Sequence, residues 1–371
     1  MQIVHIISGL GDGGAEAVLY RLLQLDKDYN HKVISLTGNQ KYGSMIKDIG
    51  VDVYVLDILN KGNKISSLIN LYKLIKKLKP DIVQTWMIHA DLIGGLAAKL
   101  AGIKNIYWGV HHTKLEGGRL MVLIGRINAF LSYIIPTRII YCAQKSREAQ
   151  ESIGFSKSKG VVVHNGYNVQ EFRPNKELGL KLRDEFNISE KVFVIGHVGR
   201  YDPLKDLDNF FTSLLVLRKN EVDFKVLVAG TNLDQSNEDL LKLLRANDLL
   251  NHIYLLGIRN DIPSIMSGID LFVLSSRAEA FPNVLNEAMA CGTPCVSTNV
   301  GDCGYIIGET GWIVPSQDPF ALGEAITLAA NERESNANTW SQRQSACRQR
   351  IIEKFTVEKM VNKYKKIWID F

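Results

Sequence analysis

Asp270-Leu-Phe-Val-Leu-Ser-Ser-Arg-Ala-Glu-Ala-Phe-Pro-Asn-Val-Leu-Asn-Glu287 reads as a strand, a loop and the start of a helix. Its apolar run, Leu271–Leu274, is continuous rather than alternating, which marks a strand buried on both faces. Glu279 lies in the loop and Glu287 inside the helix. Pro282 is expected at the first helical position, where its missing N–H costs nothing. The turn before it would then offer backbone donors and a positive dipole end to an anion. Such a helix start, flanked by two carboxylates, suits a nucleotide-sugar, with phosphate on the amides and sugar hydroxyls on the acids.

The same pattern extends along the chain. Short apolar runs near 2–7, 32–36, 51–55, 81–85, 105–110, 138–142 and 161–164 alternate with helical stretches, and a second series lies near 192–198, 224–229, 252–256, 270–274 and 294–297. Buried strands separated by helices imply parallel sheets covered on both faces. Two series imply two Rossmann-like, doubly wound α/β domains facing across a cleft, with ligands at the carboxyl ends of the strands. The boundary follows His164-Asn-Gly-Tyr-Asn168, where a strand ends in turn residues. We place a first domain over 1–172 and a second over 173–356. An amphipathic last helix is expected over roughly 357–371.

Composition narrows the class. The 371 residues are 46% hydrophobic and 22% charged, as in a water-soluble globular protein. Five scattered cysteines with no C-x-x-C pair argue for a reducing compartment, here the cytoplasm, and against a disulfide framework or a zinc site. The opening Met1-Gln-Ile-Val-His-Ile-Ile7 lacks a basic region and a cleavage site, so it is expected to be a strand rather than a signal peptide. No apolar run is long enough to span a bilayer. A net charge of +5 without a compact basic run gives no sign of nucleic-acid binding.

Ser8-Gly-Leu-Gly-Asp-Gly-Gly14 follows the first strand and fits G-x-G-x-x-G. The second strand, however, ends Ile34-Ser-Leu-Thr-Gly-Asn39, without the acid that would hold a ribose of NAD. Gly199-Arg-Tyr-Asp-Pro-Leu-Lys205 follows the first strand of the second series, where Arg200 and Lys205 would neutralise a diphosphate, the first bidentately and the second as a point charge. Asp206-Leu-Asp208 has D-x-D spacing, but inside a first helical turn i and i+2 do not share a face. His111 and His112 end the strand Ile106–Val110; one points toward the cleft and His111 has the edge. Trp86 and His89 end another strand, either as packing or as a lining for an acceptor. The segment Leu115–Ile135 carries a helical stripe of Leu120, Ile124, Ile127, Leu131 and Ile134 with Lys114, Arg119 and Arg126 interspersed. It reads either as a core helix with a wet face or as a helix lying in a membrane interface. The lysine-rich run Lys73–Lys79 is either a solvated face or a contact with anionic lipid.

Gly13-Gly-Ala-Glu16, Gly199-Arg200 with Lys205, Gly257-Ile-Arg-Asn-Asp261 and the Glu279 to Glu287 element stand in this order along the chain. Together they resemble the GT-B glycosyltransferases of the large retaining family-four group, whose signature is E-x7-E. The resemblance covers most of the chain and is strongest over 190–315. It implies that Arg200 and Lys205, beside Gly199, hold the donor diphosphate, and that Gly13 and Gly14 close on it from the other domain. It further implies that Glu287 binds the nucleotide ribose, Glu279 the donor sugar, and the turn through Phe281, Pro282, Asn283, Val284 and Leu285 the sugar or phosphate. Ile258 and Arg259 would edge the base, His111 or His112 would face the anomeric centre, and the last helix would cross back onto the first domain. Ala280 stands where relatives commonly have glycine, and the histidine is doubled.

The resemblance implies transfer of a sugar with retention from a nucleotide-diphosphate donor, UDP-linked on family grounds, needing no metal or other cofactor. The acceptor would be a glycan or lipid-linked saccharide of bacterial lipopolysaccharide or capsule, met at the inner face of the cytoplasmic membrane. The alternatives are a nucleotide-sugar epimerase of the same fold, an NAD-dependent oxidoreductase using the N-terminal glycines, and a non-catalytic sugar-binding protein.

Overall fold

In the computed structural model, which describes residues 1–58, 64–113 and 118–369, the apolar runs become two all-parallel sheets. The first contains β1 (Gln2–Ile7), β2 (Asn30–Ser35), β3 (Asp52–Val55), β4 (Ile82–Trp86), β5 (Asn105–Val110), β6 (Arg138–Tyr141) and β7 (Gly160–Val162). Their order is β3-β2-β1-β4-β5-β6-β7. The second contains β8 (Phe193–Val198), β9 (Phe224–Ala229), β10 (Ile253–Gly257), β11 (Leu271–Leu274), β12 (Cys295–Thr298) and β13 (Trp312–Val314), in the order β10-β9-β8-β11-β12-β13. All the expected strands form. β13 was not expected: it is three residues long and lies at a sheet edge, too short for a periodicity to register.

The chain divides into two compact units, Met1–Gly166 with Val357–Phe371, and Tyr167–Thr356. The first crossing falls earlier than Phe172. Tyr167 is fully buried, its N–H donates to Phe355 O (2.8 Å) and its hydroxyl donates to Asn283 Oδ1 (2.7 Å). Arg348 also donates to the carbonyls of Val169 and Phe172, so this stretch is fastened to the second unit.

β1 shows how the first unit is built. Ile3 and Ile7 face one layer, together with Val357, Met360, Val361, Tyr364 and Trp368 of the last helix (Val357–Ile369); Val4 and Ile6 face the other. The last helix buries positions i, i+3, i+4, i+7 and i+11, a stripe that suits one helical face. Residues 370 and 371, which the sequence reading included in this helix, lie outside the described residues.

Both sheets reverse their strand order at one place, between β1 and β4 in the first unit and between β8 and β11 in the second. Ligands of open α/β sheets bind at such switch points, outside the carboxyl ends of the strands. The Gly9–Gly14 turn follows β1 and Trp86 ends β4, with Ile7 and Trp86 in register. The Gly199–Lys205 segment follows β8, and the loop carrying Glu279 follows β11.

Candidate active site

In the second unit β8 leads directly into Gly199, whose N–H donates to Ala229 O. A Cβ on Gly230, at φ +136°, would stand 1.6 Å from Gly199 O, so the two chains cross here only because position 230 is glycine. Gly230→Ala is therefore expected to shift this crossing, lowering the unfolding temperature of the second unit and weakening ligand binding to it. The cost should be about 1–3 kcal/mol from backbone strain alone; thermal unfolding and binding measurements check it.

Asp202 caps a short 3₁₀ turn, Pro203–Lys205, accepting from Leu204 N–H at 2.9 Å. This turn is sewn to the loop after β11. Arg277 N–H donates to Leu204 O (2.7 Å), Ser275 Oγ donates to Lys205 O (2.7 Å), and Arg277 Nη2 donates to Asp206 Oδ1 (2.6 Å). Asp206 is buried, in left-handed backbone, and is the residue before the Leu207–Lys219 helix rather than inside it. Its Oδ1 is paired with Arg277, while its Oδ2 is buried without a hydrogen-bond partner.

Lys205 and Glu279 meet directly: Lys205 Nζ lies 2.6 Å from Glu279 Oε1. Ser276 Oγ donates to the same oxygen at 2.8 Å. Their side chains are 20% and 13% exposed, whereas that of Arg200 is 64% exposed, with Asp202 Oδ2 3.9 Å away. One cation is thus held by a carboxylate and the other extends into solvent. Beneath them His197 is fully buried, its Nδ1–H donating to Val273 O (3.1 Å). Burial, with Lys205 nearby, pushes its pKa down to about 4.

Pro282 occupies the capping position (ψ 118°), one residue before the Asn283–Ala290 helix, rather than the first helical position. Phe281 and Leu285 are core side chains, the former edge-on to Phe355, leaving only their backbones to a ligand. Asn283, Val284 and Glu287 share the less buried face of this helix, as the i, i+3 and i+4 spacings require. Gly301, at φ +51°, backs the turn: a Cβ there would lie 2.5 Å from Glu279 O. Asp302 N–H donates to Ala280 O. Ile258 is exposed, but Arg259 is locked between Glu185 and Asp261, with its Nη1 2.7 Å from Glu185 and its Nε 2.8 Å from Asp261. Arg259 is therefore a brace for the loop.

In the first unit Gly13 is the extended residue before the Gly14–Leu25 helix, and Lys41 pairs with Asp12 across the turn. His111 stacks on Trp86 (5.2 Å between centroids, 24° between planes). Burial and the neighbouring His112 push the His111 pKa down to about 3, and burial with His89 pushes His112 down to about 4. Both histidines therefore enter any chemistry as neutral imidazoles. Met87, just after β4, has φ +72° without being glycine, a strain of the kind found at functional sites. Trp86 itself is fully buried, and its place is in the core.

A buried relay explains how Trp86 is held, and nothing in the sequence announced it. Trp86 Nε1 donates to His5 Nδ1 (3.1 Å), His5 Nε2 meets His31 Nδ1 (2.9 Å), and His31 Nε2 meets Asp26 Oδ2 (3.1 Å). An indole only donates and a carboxylate only accepts, so each imidazole carries its proton on Nε2. Lys365 of the last helix closes the line on Asp26 Oδ1 at 2.9 Å. Apart from His31 and Asp26, which are 5 positions apart, the partners stand 26 or more positions apart in sequence, which is why spacing could not reveal them. Ser275, Ser276 and Arg277 were also missed, although polar side chains directly after a buried strand are a usable signal.

The Gly118–Leu131 helix buries Gly125, Asn128 and Ala129, with Asn128 Nδ2 donating to Ile88 O. Leu120 (66% exposed), Leu123 (54%), Ile127 and Phe130 (69%) face outward with Arg119 and Arg126. The inward face is thus made of small and polar residues with Ile124 and Leu131 half-buried, and most of the large apolar side chains lie outside. Lys114 and Leu115 lie outside the described residues. Among the described residues no helix is long and apolar enough to cross a membrane.

The fold is shared with a solved structure of Anabaena HepE in complex with UDP and glucose, at a TM-score of 0.87 and 19% identity over 100% of both chains. It is the two-sheet GT-B fold of glycosyltransferases. Two family models match: Glycosyltransferase Family 4 over residues 12–171 and Glycosyl transferases group 1 over residues 180–345. The chain belongs to this glycosyltransferase family. An Escherichia coli UDP-Gal:alpha-D-GlcNAc-diphosphoundecaprenol alpha-1,3-galactosyltransferase is 27% identical over 310 residues, 82% of this chain and 79% of that protein. A Campylobacter jejuni N,N'-diacetylbacillosaminyl-diphospho-undecaprenol alpha-1,3-N-acetylgalactosaminyltransferase is 26% identical over 355 residues, 90% and 91% of the two chains.

Proposed function

We propose that this glycosyltransferase moves a hexose, with retention and without a metal, from a UDP-sugar to a polyprenyl-diphosphate-linked saccharide. The observation that carries the reading is the junction of two turns at the β8/β11 switch point, which sets Lys205 against Glu279 and leaves Arg200 exposed on the turn that carries Lys205. Two cations answer a diphosphate and a carboxylate answers sugar hydroxyls. The named activities of the E. coli and C. jejuni relatives, each acting on a diphosphoundecaprenol saccharide, support the acceptor class. UDP is supported by the E. coli relative and the HepE complex.

In this mechanism Arg200 and Lys205 bind the diphosphate and stabilise the charge that grows on it as the bond from its oxygen to the sugar C1 breaks. The acceptor hydroxyl attacks C1 on the face the phosphate leaves, and its proton passes to the departing phosphate oxygen. Glu279 orients the sugar through its hydroxyls, and Glu287 holds the ribose. In the first unit, the neutral His111 or His112 and the Gly13–Gly14 helix start are the groups proposed to meet the reacting saccharide.

Thermal unfolding of the purified protein with UDP, GDP, ADP, several UDP-sugars and NAD, each in EDTA or Mg²⁺, tests the reading. A ligand at about 100 times its dissociation constant adds roughly 2.7 kcal/mol. Stabilisation by UDP and a UDP-sugar in EDTA is expected; a response to NAD alone would overturn the assignment. Turnover of the UDP-sugar without any acceptor would point to an epimerase instead.

The exposed face of the Gly118–Leu131 helix is proposed to rest on an anionic membrane. Between Leu92 and Arg147 the sequence has Glu116 as its single acid, against exposed Lys99, Lys104, Arg119, Arg126 and Arg138. Exposed apolar side chains on a helix that also carries Arg119 and Arg126 suit the headgroup boundary. The triple substitution of Leu120, Leu123 and Phe130 by Asp is expected to remove co-sedimentation with vesicles containing phosphatidylglycerol while leaving UDP stabilisation unchanged.

A further inference from the structure

The Lys205–Glu279 pair ties up one of the two cations that the proposed donor site offers. Lys205 Nζ is 2.6 Å from Glu279 Oε1, the pair is largely shielded, and Ser276 Oγ fixes the same oxygen at 2.8 Å. Arg200, by contrast, stands 64% exposed. A phosphate arriving here meets Arg200 first and can recruit Lys205 only at the expense of the carboxylate. Shielded charges are costly to separate unless each finds a new partner.

The two species that contend for this site differ in what they bring to Glu279. A nucleoside diphosphate ends in a phosphate with up to two charges and no hydrogen-bond donor for a carboxylate. Placed against Lys205, it leaves Glu279 without its cation and beside a like charge. A nucleotide-sugar presents a less charged phosphate and, just beyond it, hydroxyls that donate to the carboxylate. Only the second ligand replaces both halves of the pair.

We infer that Glu279, besides orienting the sugar, competes with phosphate for Lys205 and so makes the site select sugar-bearing nucleotide over the free nucleoside diphosphate. The carboxylate thereby aids expulsion of the spent nucleotide. This rests on the donor-site reading given above, which assigns Lys205 to the diphosphate and Glu279 to the sugar. Ser276 has a part in it: its hydroxyl holds Glu279 in the competing position.

The test is calorimetric titration, in EDTA, of UDP, UDP-glucose and UDP-galactose into the wild-type chain, Glu279→Gln, Ser276→Ala and Lys205→Ala. Glu279→Gln keeps the shape and removes the charge. It is expected to bind UDP about tenfold tighter, a change of 1.4 kcal/mol, while binding the accepted UDP-sugar no tighter. UDP should correspondingly become a stronger product inhibitor. Ser276→Ala should move the ratio the same way by about two- to fivefold, the worth of one hydrogen bond, and serves if the glutamine variant folds poorly. Lys205→Ala should weaken UDP. If Glu279→Gln weakens UDP together with Lys205→Ala, the carboxylate positions the lysine instead of competing for it; the inference falls and the donor site stands. If Lys205→Ala leaves UDP affinity unchanged, the donor-site reading falls and the inference with it.

Discussion

Arg200→Ala and Lys205→Ala should each lower kcat/KM by about 100-fold or more, the usual cost of losing one preorganised donor to developing charge. The two should differ in character. Arg200 extends into solvent from the turn after β8 and has Asp202 no nearer than 3.9 Å. Its planar fork can take two phosphate oxygens at once, so Arg200→Lys is expected to restore little. In the proposed site Lys205 acts as a point charge between the diphosphate and Glu279, and Lys205→Arg should retain more activity than Lys205→Ala. EDTA should leave the rate unchanged, because in the proposed site Arg200 and Lys205 supply the positive charge that a metal would otherwise bring. Steady-state rates with the stabilising UDP-sugar and a diphosphate-linked saccharide measure all of this. Strict Mg²⁺ dependence would return attention to Asp208, since Asp206 is already held by Arg277.

Acid should unfold the protein well above the carboxylate range. His5 and His197 are completely buried, and burial holds His5 well below the ordinary value and His197 at about 4. His111 and His112 are lowered to about 3 and about 4. The unfolded chain binds protons on these groups near 6.5, so between 6.5 and the folded values the unfolded state carries more protons. Stability therefore rises with pH across that window and is lost as pH falls through it, by about 1.4 kcal/mol per pH unit for each net proton. Asp91 opposes this, because burial raises its pKa well above 3.8 and its contribution weakens as pH rises. One opposing group against these four, joined by His89, which burial also lowers, leaves the net slope acid-labile. Urea midpoints at pH 7 and pH 5 should show a clear fall, larger for the first unit, which holds all of these histidines except His197.

The parallel strands were legible because each is a short apolar run with a local cause. The order of the sheets was not legible, yet it is what brings the site together: β8 and β11 are separated by two strands in sequence and are neighbours in space. Arg200, Lys205 and Glu279 could be singled out by residue type and spacing. Their mutual arrangement, with Lys205 on Glu279 and Arg277 on Asp206, needed the fold. Arg259 shows the converse. The resemblance placed it at the edge of the base, but its side chain is held by Glu185, 74 residues earlier. The Gly118–Leu131 helix left two readings open because its apolar stripe says that a face exists, while only Gly125, Asn128 and Ala129 say which side is inward.

The chain enters the second unit at Tyr167 and leaves it at Thr356, and these two residues are bridge partners. In the order of synthesis, the second unit is complete before the first. Until Met360, Tyr364 and Trp368 emerge from the ribosome, β1 lacks the layer that covers Ile3 and Ile7, and Asp26 lacks Lys365. The nascent chain therefore carries an open apolar seam, and the final helix acts as a late-arriving clasp. A chain stalled or clipped before Met360 would keep a finished second unit attached to an unfinished first one, a species that chaperones and proteases would recognise.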